Sequence, residues 1–433
     1  MTPENRFHVI VIGGGPAGLI AAAQAAQHGA STLLLERMRT PARKLMITGK
    51  GRCNITNLAP LPEFISHIQP DGRFLRQAFS RFFHDELIEL LSSLGVKVKV
   101  ERGERVFPAS DSAKDVVDAF IYYAKQTGVK IIPRAQVENI EKRSDKLWQI
   151  DADIHTSDDV ETQRQFLASC VVIATGGKAY PATGSKGDGY EWARRLGHTI
   201  TEPTPALVPL ITAGTTAKQL QGLSLRNVSV SVWIDQKKRG ECFGEMLFTE
   251  TELSGPIILT LSRNIVLALH ERHSVTISID LKPALDEQQL DNRLLRDIDQ
   301  YGKRTVKSFL KGLLPKSLIP VCLQQVELNA ENLCHQITSN QRKKLRYWLK
   351  NFRFEIIGHG DFRDAIITAG GVNIKEIFPG TMESRLHAGL FFAGEILDVD
   401  ADTGGFNLQI AFSTGWVAGI SAAERSGIVN NKL

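Results

Sequence analysis

The sequence FHVIVI at Phe7–Ile12 runs directly into GGGPAG at Gly13–Gly18. The apolar run predicts a buried strand, and the Ala-rich segment Leu19–His28 predicts a helix. Ser31–Glu36 predicts a second buried strand that ends in an acid. A strand, a glycine turn, a helix and a second strand in this order form a βαβ unit, which is typical of a Rossmann-like dinucleotide-binding domain.

The glycine turn fits the pattern G-x-G-x-x-G, and its residues have distinct predicted roles. Gly13 permits the tight turn, Gly15 lets the backbone approach a pyrophosphate, and Gly18 lets the helix pack against the strand. Pro16 and Ala17 belong to the turn, and the N–H groups and positive dipole end of the helix that follows favour an anion. We therefore expect this turn to bind the pyrophosphate of a dinucleotide.

The rest of the sequence favours FAD as that dinucleotide. A dehydrogenase with two nucleotide domains would show the pattern twice, and a second copy does not occur. Glu36 ends the second strand, where a carboxylate accepts hydrogen bonds from an adenosine ribose. Two further segments predict strands that end in small residues or a Gly-acid pair, Val171–Gly177 and Phe391–Glu395. We expect both to pass close to the cofactor.

Length and composition narrow the class of protein. A chain of 433 residues favours two or three domains. No apolar stretch is long enough to span a membrane, and the first apolar run leads into the glycine turn rather than a cleavage site. The five cysteines lie far apart without a C-x-x-C pair. This spacing argues against a disulfide framework and a metal site, and it predicts a reducing, cytoplasmic setting.

The middle of the chain differs in pattern from both ends. After a proline-rich stretch, alternation at Asn227–Ile234 and Ser274–Leu281 predicts half-exposed antiparallel strands. Residues 283–353 have mostly helical patterns, and strand-then-glycine patterns return near the C-terminus before a terminal helix at 404–423. The predicted fold class is α/β, a split Rossmann-like FAD domain with a β-barrel-like insert and a helical insert. The predicted boundaries are 1–200 with 362–433 for the FAD domain, 201–282 with 354–361 for the β-rich insert, and 283–353 for the helical insert.

The chain resembles the BaiN/RdsA family of NAD(P)/FAD-dependent oxidoreductases over nearly its whole length. The motifs that carry the resemblance are GKGRCNITN at Gly49–Asn57, TAGGV at Thr368–Val372, TMES at Thr381–Ser384, AGEILD at Ala393–Asp398 and TGGFNLQ at Thr403–Gln409. One departure is Glu250-Thr251-Glu252, where the family commonly has a His-led segment. The resemblance implies the three-part fold described above and reduction of an activated carbon–carbon double bond, with NAD(P)H as transient electron donor.

The loop Gly49–Asn57 is the first candidate for the active site, because its glycines, cations, thiol and amides suit neither a core strand nor a core helix. A positive charge near the pyrimidine end of a flavin stabilises its anionic reduced form, and Lys50 and Arg52 are the candidates. Cys53 has two interpretations, a small buried hydrophobe or a proton donor or redox thiol. Asn407 is the fourth candidate for a catalytic role, next to glycines that open the terminal helix.

The complete set of residues expected to contact the cofactor combines these motifs. They are Gly13, Gly15, Pro16, Ala17, Gly18, Glu36, Arg37, Lys44, Gly49, Gly51, Asn54, Thr175, Gly176, Gly394, Glu395, Gly405, Phe406, Asn407 and Leu408.

The charge distribution bears on the substrate. The chain has a net charge of +5, but residues 301–353 alone carry eleven cations against Glu327 and Glu331. Lysine and arginine neutralise phosphates, and neighbouring aromatic rings offer faces for unpaired bases. We expect RNA contacts from the basic helical insert: Arg342, Lys343, Lys344, Arg346 and Lys350 on the predicted helix near 342–350, with Lys303, Arg304, Lys307, Lys311 and Lys316 earlier in the same segment. An ordinary solvated helix face is the alternative.

Three functions remain open on the sequence. Members of the family that the chain resembles are associated with saturating uridine in large-subunit ribosomal RNA to dihydrouridine, and others with reductive steps on bile-acid-like steroids. The basic segment favours the RNA substrate. A reductase of a small unsaturated metabolite and a non-catalytic flavin-bound RNA-binding protein are the alternatives. The oligomeric state cannot be inferred from these patterns.

Overall fold

The predicted βαβ unit forms at the start of the chain. The computed structural model describes residues 5–155, 161–250 and 252–427, and in it β1 (Arg6–Ile12), α1 (Pro16–Gln27) and β2 (Thr32–Glu36) follow each other. The helix begins three residues earlier than the apolar pattern predicts, because Pro16 occupies its first turn and Gly15 is its N-cap.

The remaining strands are mostly short. In chain order they are β3 (Thr56–Asn57), β4 (Ile68–Gln69), β5 (Val98–Glu101), β6 (Arg105–Pro108), β7 (Lys130–Pro133), β8 (Ala135–Lys142), β9 (Trp148–His155), β10 (Glu161–Ile173), β11 (Ile200–Ala206), β12 (Leu210–Thr212), β13 (Ser224–Ile234), β14 (Lys237–Phe248), β15 (Glu252–Ser254), β16 (Val275–Asp280), β17 (Phe352–His359), β18 (Ile367–Val372), β19 (Leu390–Phe392) and β20 (Asp400–Ala401).

The remaining helices surround these strands. In chain order they are α2 (Arg43–Ile47), α3 (Leu61–Ser66), α4 (Arg76–Phe79), α5 (His84–Ser93), α6 (Ala113–Gln126), α7 (Asp188–Arg195), α8 (Thr216–Gln219), α9 (Pro256–His270), α10 (Glu287–Gln300), α11 (Val306–Leu310), α12 (Leu318–Val326), α13 (Ser339–Lys350) and α14 (Phe406–Arg425). Among the described residues, no helix is both long and apolar enough to cross a membrane.

A seven-stranded sheet organises the first of two compact units, Met1–Pro205 with Ile366–Leu433. Its order is β7-β2-β1-β10-β9-β8, with β19 also paired to β10. β1 is parallel to β2 on one side and to β10 on the other, and β19 is parallel to β10. Because the chain builds outward from β1 in both directions, a crevice is expected where β1 meets β10, at the carboxyl ends of the strands.

A closed barrel organises the second unit, Ala206–Ala365. Its six strands are ordered β12-β15-β14-β13-β16-β17, and β17 closes the barrel by pairing with β12. In β13 the side chains of Val228, Val230 and Val232 are buried, as the alternating pattern predicts. The barrel and the parallel sheet of the first unit confirm the predicted fold class.

The barrel and the helices α10–α13 share one hydrophobic core. Barrel residues such as Val230 and Ile277 belong to the same buried cluster as Leu294 of α10 and Leu345 of α13. The structure thus groups the β-rich and helical inserts into a single compact unit, and their separation at the predicted boundaries stays a prediction. Thr251, in the loop that departs from the family pattern, lies outside the described residues.

Candidate functional site

The glycines of the first turn divide into those that contact protein and one that does not. A Cβ added to Gly13, whose φ is +100°, would lie 2.5 Å from the carbonyl oxygen of Ala174, and one added to Gly18 would lie 1.8 Å from that of Gly13. A Cβ added to Gly15 would meet no atom within 4 Å. Close packing therefore accounts for Gly13 and Gly18. Gly15 faces open space at the N-terminus of α1, where the predicted pyrophosphate would bind.

Glu36, at the end of the neighbouring strand β2, is hydrogen-bonded to the glycine turn. Its Oε2 accepts a hydrogen bond from the Gly14 N–H at 2.6 Å, and its Oε1 accepts one from the Met38 N–H at 2.7 Å. Burial raises the pKa of this carboxyl, although the two backbone hydrogen bonds oppose the shift. The side chain that is predicted to bind the ribose thus also shapes the pyrophosphate turn. Arg37, the next residue, pairs with Asp188 at 2.6 Å.

A second helix N-terminus belongs to the same unit. α14 begins after Gly405, which has a φ of +103° and, like Gly15 in α1, provides no side-chain cap. A Cβ at Gly415 of α14 would lie 2.3 Å from the carbonyl oxygen of Ala17, so the two helices cross closely at that point. Because an α-helix rises about 1.5 Å per residue, the N-terminus of α14 lies about 15 Å along its axis from this crossing. Two uncapped N-termini therefore offer N–H donors at separate points of one site.

Glu395 joins three segments that the sequence analysis treated separately. Its Oε2 accepts from the Lys44 Nζ at 2.7 Å, and its Oε1 accepts from the Thr368 N–H at 2.9 Å. The Thr368 hydroxyl oxygen in turn accepts from the N–H groups of Lys178 and Ala179, at 2.8 and 3.1 Å. Thr368 was not among the predicted contacts, although its TAGGV motif was noted.

Small residues hold the end of β19 against the helices. The Gly394 N–H donates to the Thr414 hydroxyl of α14 at 2.9 Å, and a Cβ at Gly394 would lie 2.8 Å from that of Ala17. At the end of β10, Gly176 has a φ of +72° and faces Ser185. The strand ends predicted to pass close to a cofactor therefore meet the two helices that begin at the site.

Two buried polar atoms among the predicted contacts have no hydrogen-bond partner. They are the Thr175 hydroxyl oxygen, after β10, and the Asn54 Oδ1, in the loop before β3. A buried polar group without a partner is costly, and such groups are found where a ligand or ordered water completes them. Together with the open Gly15 and the two uncapped helices, they fit a bound dinucleotide.

Only some of the predicted site residues in the loop 49–54 are free to contact a ligand. Arg52 pairs with both Glu101 and Asp111 and lies 4.2 Å from the centre of the Phe107 ring. Its charge is thereby compensated within the protein. Lys50 is exposed with a φ of +59°, and Gly51 meets no atom within 4 Å of an added Cβ. A Cβ at Gly49 would lie 3.0 Å from the Asn54 nitrogen.

Cys53 is entirely covered by protein atoms, with 0% of its surface exposed. Burial raises the pKa of its thiol to about 12, so the thiolate is not formed near neutral pH. These contacts support the small buried hydrophobe rather than the redox thiol. All five cysteines are free of disulfides.

Asn407 and its neighbours hold the start of α14. The Asn407 amide accepts from the Ala401 N–H at 2.8 Å and donates to the Ala401 and Asp402 carbonyls, at 2.7 and 3.3 Å. Phe406 is buried and Leu408 packs partly against the core. The observed contacts of Asn407 are structural, and its catalytic role stays a prediction.

A histidine that no motif indicated lies beside the same helix start. His67 stacks on Phe406 with ring centres 4.4 Å apart, and its Nδ1 donates to Asp402 Oδ2 at 2.8 Å. Its side chain is 35% exposed, and its Nε2 has no partner among the described residues. The hydrogen bond to Asp402 raises the pKa of His67 above its ordinary value. A single histidine 335 residues from its acid leaves no local sequence signal.

Ser384 of the TMES motif belongs to a buried cluster with His198 and Glu376. The cluster resembles a hydrolytic triad, but it is not accessible to a substrate. His198 donates or accepts at both ring nitrogens, to Glu376 at 3.0 Å and to the Ser384 hydroxyl at 2.9 Å. The Ser384 oxygen also accepts from the N–H groups of Leu386 and His387, both at 3.0 Å. The His198 ring is fully buried, which lowers its pKa. This cluster holds the turn before β19 rather than a substrate.

Comparison with known proteins agrees with this architecture. The family model of the HI0933-like protein Rossmann domain matches residues 7–421. The chain is 33% identical to the 3-dehydro-bile acid delta(4,6)-reductase of Clostridium scindens, over 96% of this chain and 98% of that protein. It is 30% identical to the ribosomal RNA dihydrouridine synthase of Escherichia coli, over 95% of this chain and 97% of that protein.

A solved structure supports the fold alone. The 3-ketosteroid delta1-dehydrogenase from Sterolibacterium denitrificans superimposes with a TM-score of 0.50 at 12% identity, over 97% of this chain and all of that one.

Proposed function

The chain belongs to the HI0933-like Rossmann family of FAD-dependent oxidoreductases, and from this premise we propose that it reduces a carbon–carbon double bond of uridine in large-subunit ribosomal RNA, with NAD(P)H as electron donor. The observation that carries the proposal is the full-length similarity to two kinds of relatives whose names both denote saturation of such a bond. Bound FAD supplies hydride transfer from a nicotinamide to carbon.

The residues around the glycine turn would hold the cofactor. The open Gly15 and the N-terminus of α1 suit the pyrophosphate, and Glu36 suits the adenosine ribose. The unpartnered Thr175 and Asn54 oxygens and the N-terminus of α14 suit the remaining polar groups. The ion pair of Lys44 with Glu395 compensates the charge of both side chains within the protein.

Saturation of the bond adds a hydride to one carbon and a proton to the other, while NAD(P)H is oxidised to NAD(P)+. We assign the proton to His67, because its Nε2 is free and its Nδ1 is held by Asp402 beside the start of α14. Cys53 is not suited to this step, because it is fully covered and holds its proton too tightly near neutral pH. The free cysteines accord with a reducing, cytoplasmic setting for this chemistry.

The test is mass spectrometry of nucleosides from ribosomal RNA of cells with and without the protein. Dihydrouridine that disappears on deletion and returns on re-expression is the expected result. No change in any nucleoside would contradict the RNA substrate and leave the FAD enzyme in place.

A small unsaturated metabolite is the second candidate. It is favoured by the 33% identical relative named for a bile acid, and by the internal ion pairs of α13 described below. Turnover of a free unsaturated 3-oxo steroid that is insensitive to salt would support it. A non-catalytic flavoprotein would bind RNA without reoxidation of its reduced flavin by either substrate.

A further inference from the structure

Four of the five cations that are predicted to contact RNA from α13 are paired inside the second unit. On α13, Arg342 and Arg346 both reach Asp291 of α10, at 3.2 and 3.5 Å. Lys350 meets Asp280 at 2.5 Å and donates to the Leu285 carbonyl at 2.7 Å. Lys344 pairs with Glu327 at 2.5 Å. Only Lys343, of these five, lacks an ion pair among the described residues, so α13 offers little free charge to a polyanion.

A different part of the same unit carries cations without partners. The segment 301–316 contains no carboxylate, and its cations are all exposed: Lys303, Arg304, Lys307, Lys311 and Lys316. None of the five forms an ion pair with a described residue. Arg304 instead lies 4.8 Å from the centre of the Tyr301 ring. We call these five side chains the lysine surface.

The backbone beneath the lysine surface is ordered by long-range hydrogen bonds. The N–H groups of Val306 and Lys307 donate to the carbonyls of Asn332 and Ala330, at 2.8 and 3.1 Å. The Cys334 N–H donates to the Arg304 carbonyl at 2.9 Å. Apolar side chains anchor α11 from below: Val306, Phe309 and Leu310 are all buried. The five cations are therefore displayed from a fixed platform rather than from a loose loop.

The arrangement of charge on α11 is unfavourable for the isolated chain. Lys307 lies on α11 and Lys311 is its C-cap, so the two are four positions apart and face the same side. Like charges at this spacing repel, and neither lysine forms an ion pair with a described residue. A surface of this kind is stabilised when an external anion supplies the missing counter-charge.

We propose that the lysine surface, and not α13, binds the phosphate backbone of the RNA substrate; the choice of RNA rests on the proposed function. Lysine is a compact, mobile charge that contacts phosphates without selecting a base, which suits an element that positions a long strand. The aromatic ring of Tyr301 beneath Arg304 adds a face beside which a base can stack.

The test compares two double variants of equal charge change in the FAD-loaded protein. Lys307→Gln/Lys311→Gln removes two unpaired cations of the lysine surface. Lys238→Gln/Lys344→Gln removes two lysines of the same unit that each pair with a glutamate, at 2.7 and 2.5 Å. Binding of a labelled, uridine-containing single-stranded RNA is measured by fluorescence anisotropy across a series of salt concentrations. Flavin reduction by NAD(P)H in each variant serves as the check on folding.

The first variant should lower the slope of log affinity against log salt by about 1.4, since each lost phosphate contact removes about 0.7. Its affinity near physiological salt should fall by about tenfold, and the paired-lysine variant should match the wild type. Equal losses in both variants, no change in the first, or a wild type that binds anionic lipid vesicles but not RNA would each overturn the proposal. A slope that changes as expected in a protein that forms no dihydrouridine would leave the lysine surface in place and refute the proposed function instead.

Discussion

The cations of α13 and those of the lysine surface lie on one helical segment, yet their counter-charges come from different places. Arg342, Arg346 and Lys350 meet carboxylates of α10 and β16, whereas Lys307 and Lys311 meet none in the part of the chain that the structure describes. In the sequence, both groups contribute in the same way to the excess of positive charge over residues 301–353. Only the fold separates charge that holds the protein together from charge that remains available to a partner.

The same distinction applies in the first unit. A Cβ added to Gly18 would collide with the Gly13 carbonyl oxygen, whereas a Cβ added to Gly15 would have no protein atom within 4 Å. Cys53 and His67 show the same contrast, because the thiol is enclosed by protein and the imidazole has a nitrogen without a partner among the described residues. Residues of the first kind should affect stability when replaced, and residues of the second kind should affect ligand binding or turnover.

The largest expected effect separates the two glycines. Gly18→Ala places a methyl group 1.8 Å from the Gly13 oxygen and should cost about 3 kcal/mol of stability, because the turn has to shift. Gly15→Ala should leave the stability of FAD-stripped protein nearly unchanged but reduce FAD retention. Thermal unfolding of the stripped protein and the flavin absorbance of the purified protein measure the two effects. Equal destabilisation by both variants would contradict the distinction.

The next effect tests the internal pairs of the second unit. Asp291→Ala leaves the half-buried Arg342 and Arg346 without their shared carboxylate and should cost about 3 kcal/mol of stability. Glu327→Ala removes the exposed partner of Lys344 and should not move the urea midpoint. Similar midpoints for the two variants would show that the α10–α13 pairs contribute little.

A pH profile tests His67 against Cys53. The pKa of His67 is raised by Asp402, so a proton on its ring is present below that pKa and lost as pH rises through it. Turnover should therefore fall as pH rises through this pKa, which gives the pH profile an alkaline limb. Asp402→Asn should move this limb to lower pH, because it removes the carboxylate. His67→Gln should abolish the limb, while Cys53→Ala and His84→Gln should preserve it. A limb that persists in His67→Gln would assign the proton to another group.

The smallest effect concerns repulsion within the lysine surface. Lys307→Glu converts a like-charge pair with Lys311 into an opposite-charge pair whose acid lies in the first turn of α11, and it should raise stability by about 0.3 kcal/mol. The same change should weaken RNA binding. Thermal unfolding at low and high salt measures the first effect, which should vanish at high salt because screening removes it. A stability gain that survives high salt would indicate a packing effect.

Local patterns predicted much of this fold from the sequence. The βαβ unit is encoded within Phe7–Glu36, and two of the six barrel strands, β13 and β16, follow from alternation at Asn227–Ile234 and Ser274–Leu281. The pairs that decide the charge of α13 and the partner of His67 are between residues far apart in the chain. Composition cannot rank such contacts, so α13 and the lysine surface were both expected to contact RNA, and His67 was missed. Arg52 was likewise expected to face a ligand, before its two carboxylate partners were visible.

The crossing of α1 and α14 has a consequence for how the protein is made. Gly415 and Gly419 of α14 pack directly against the backbone of Ala17 and Ala21 in α1. During synthesis α1 leaves the ribosome before the barrel unit, but the helix that covers it is translated only after the whole barrel unit. Domains fold as units once their residues are available. The barrel unit can therefore complete its fold on the nascent chain, whereas loading of the cofactor must wait until α14 has been translated.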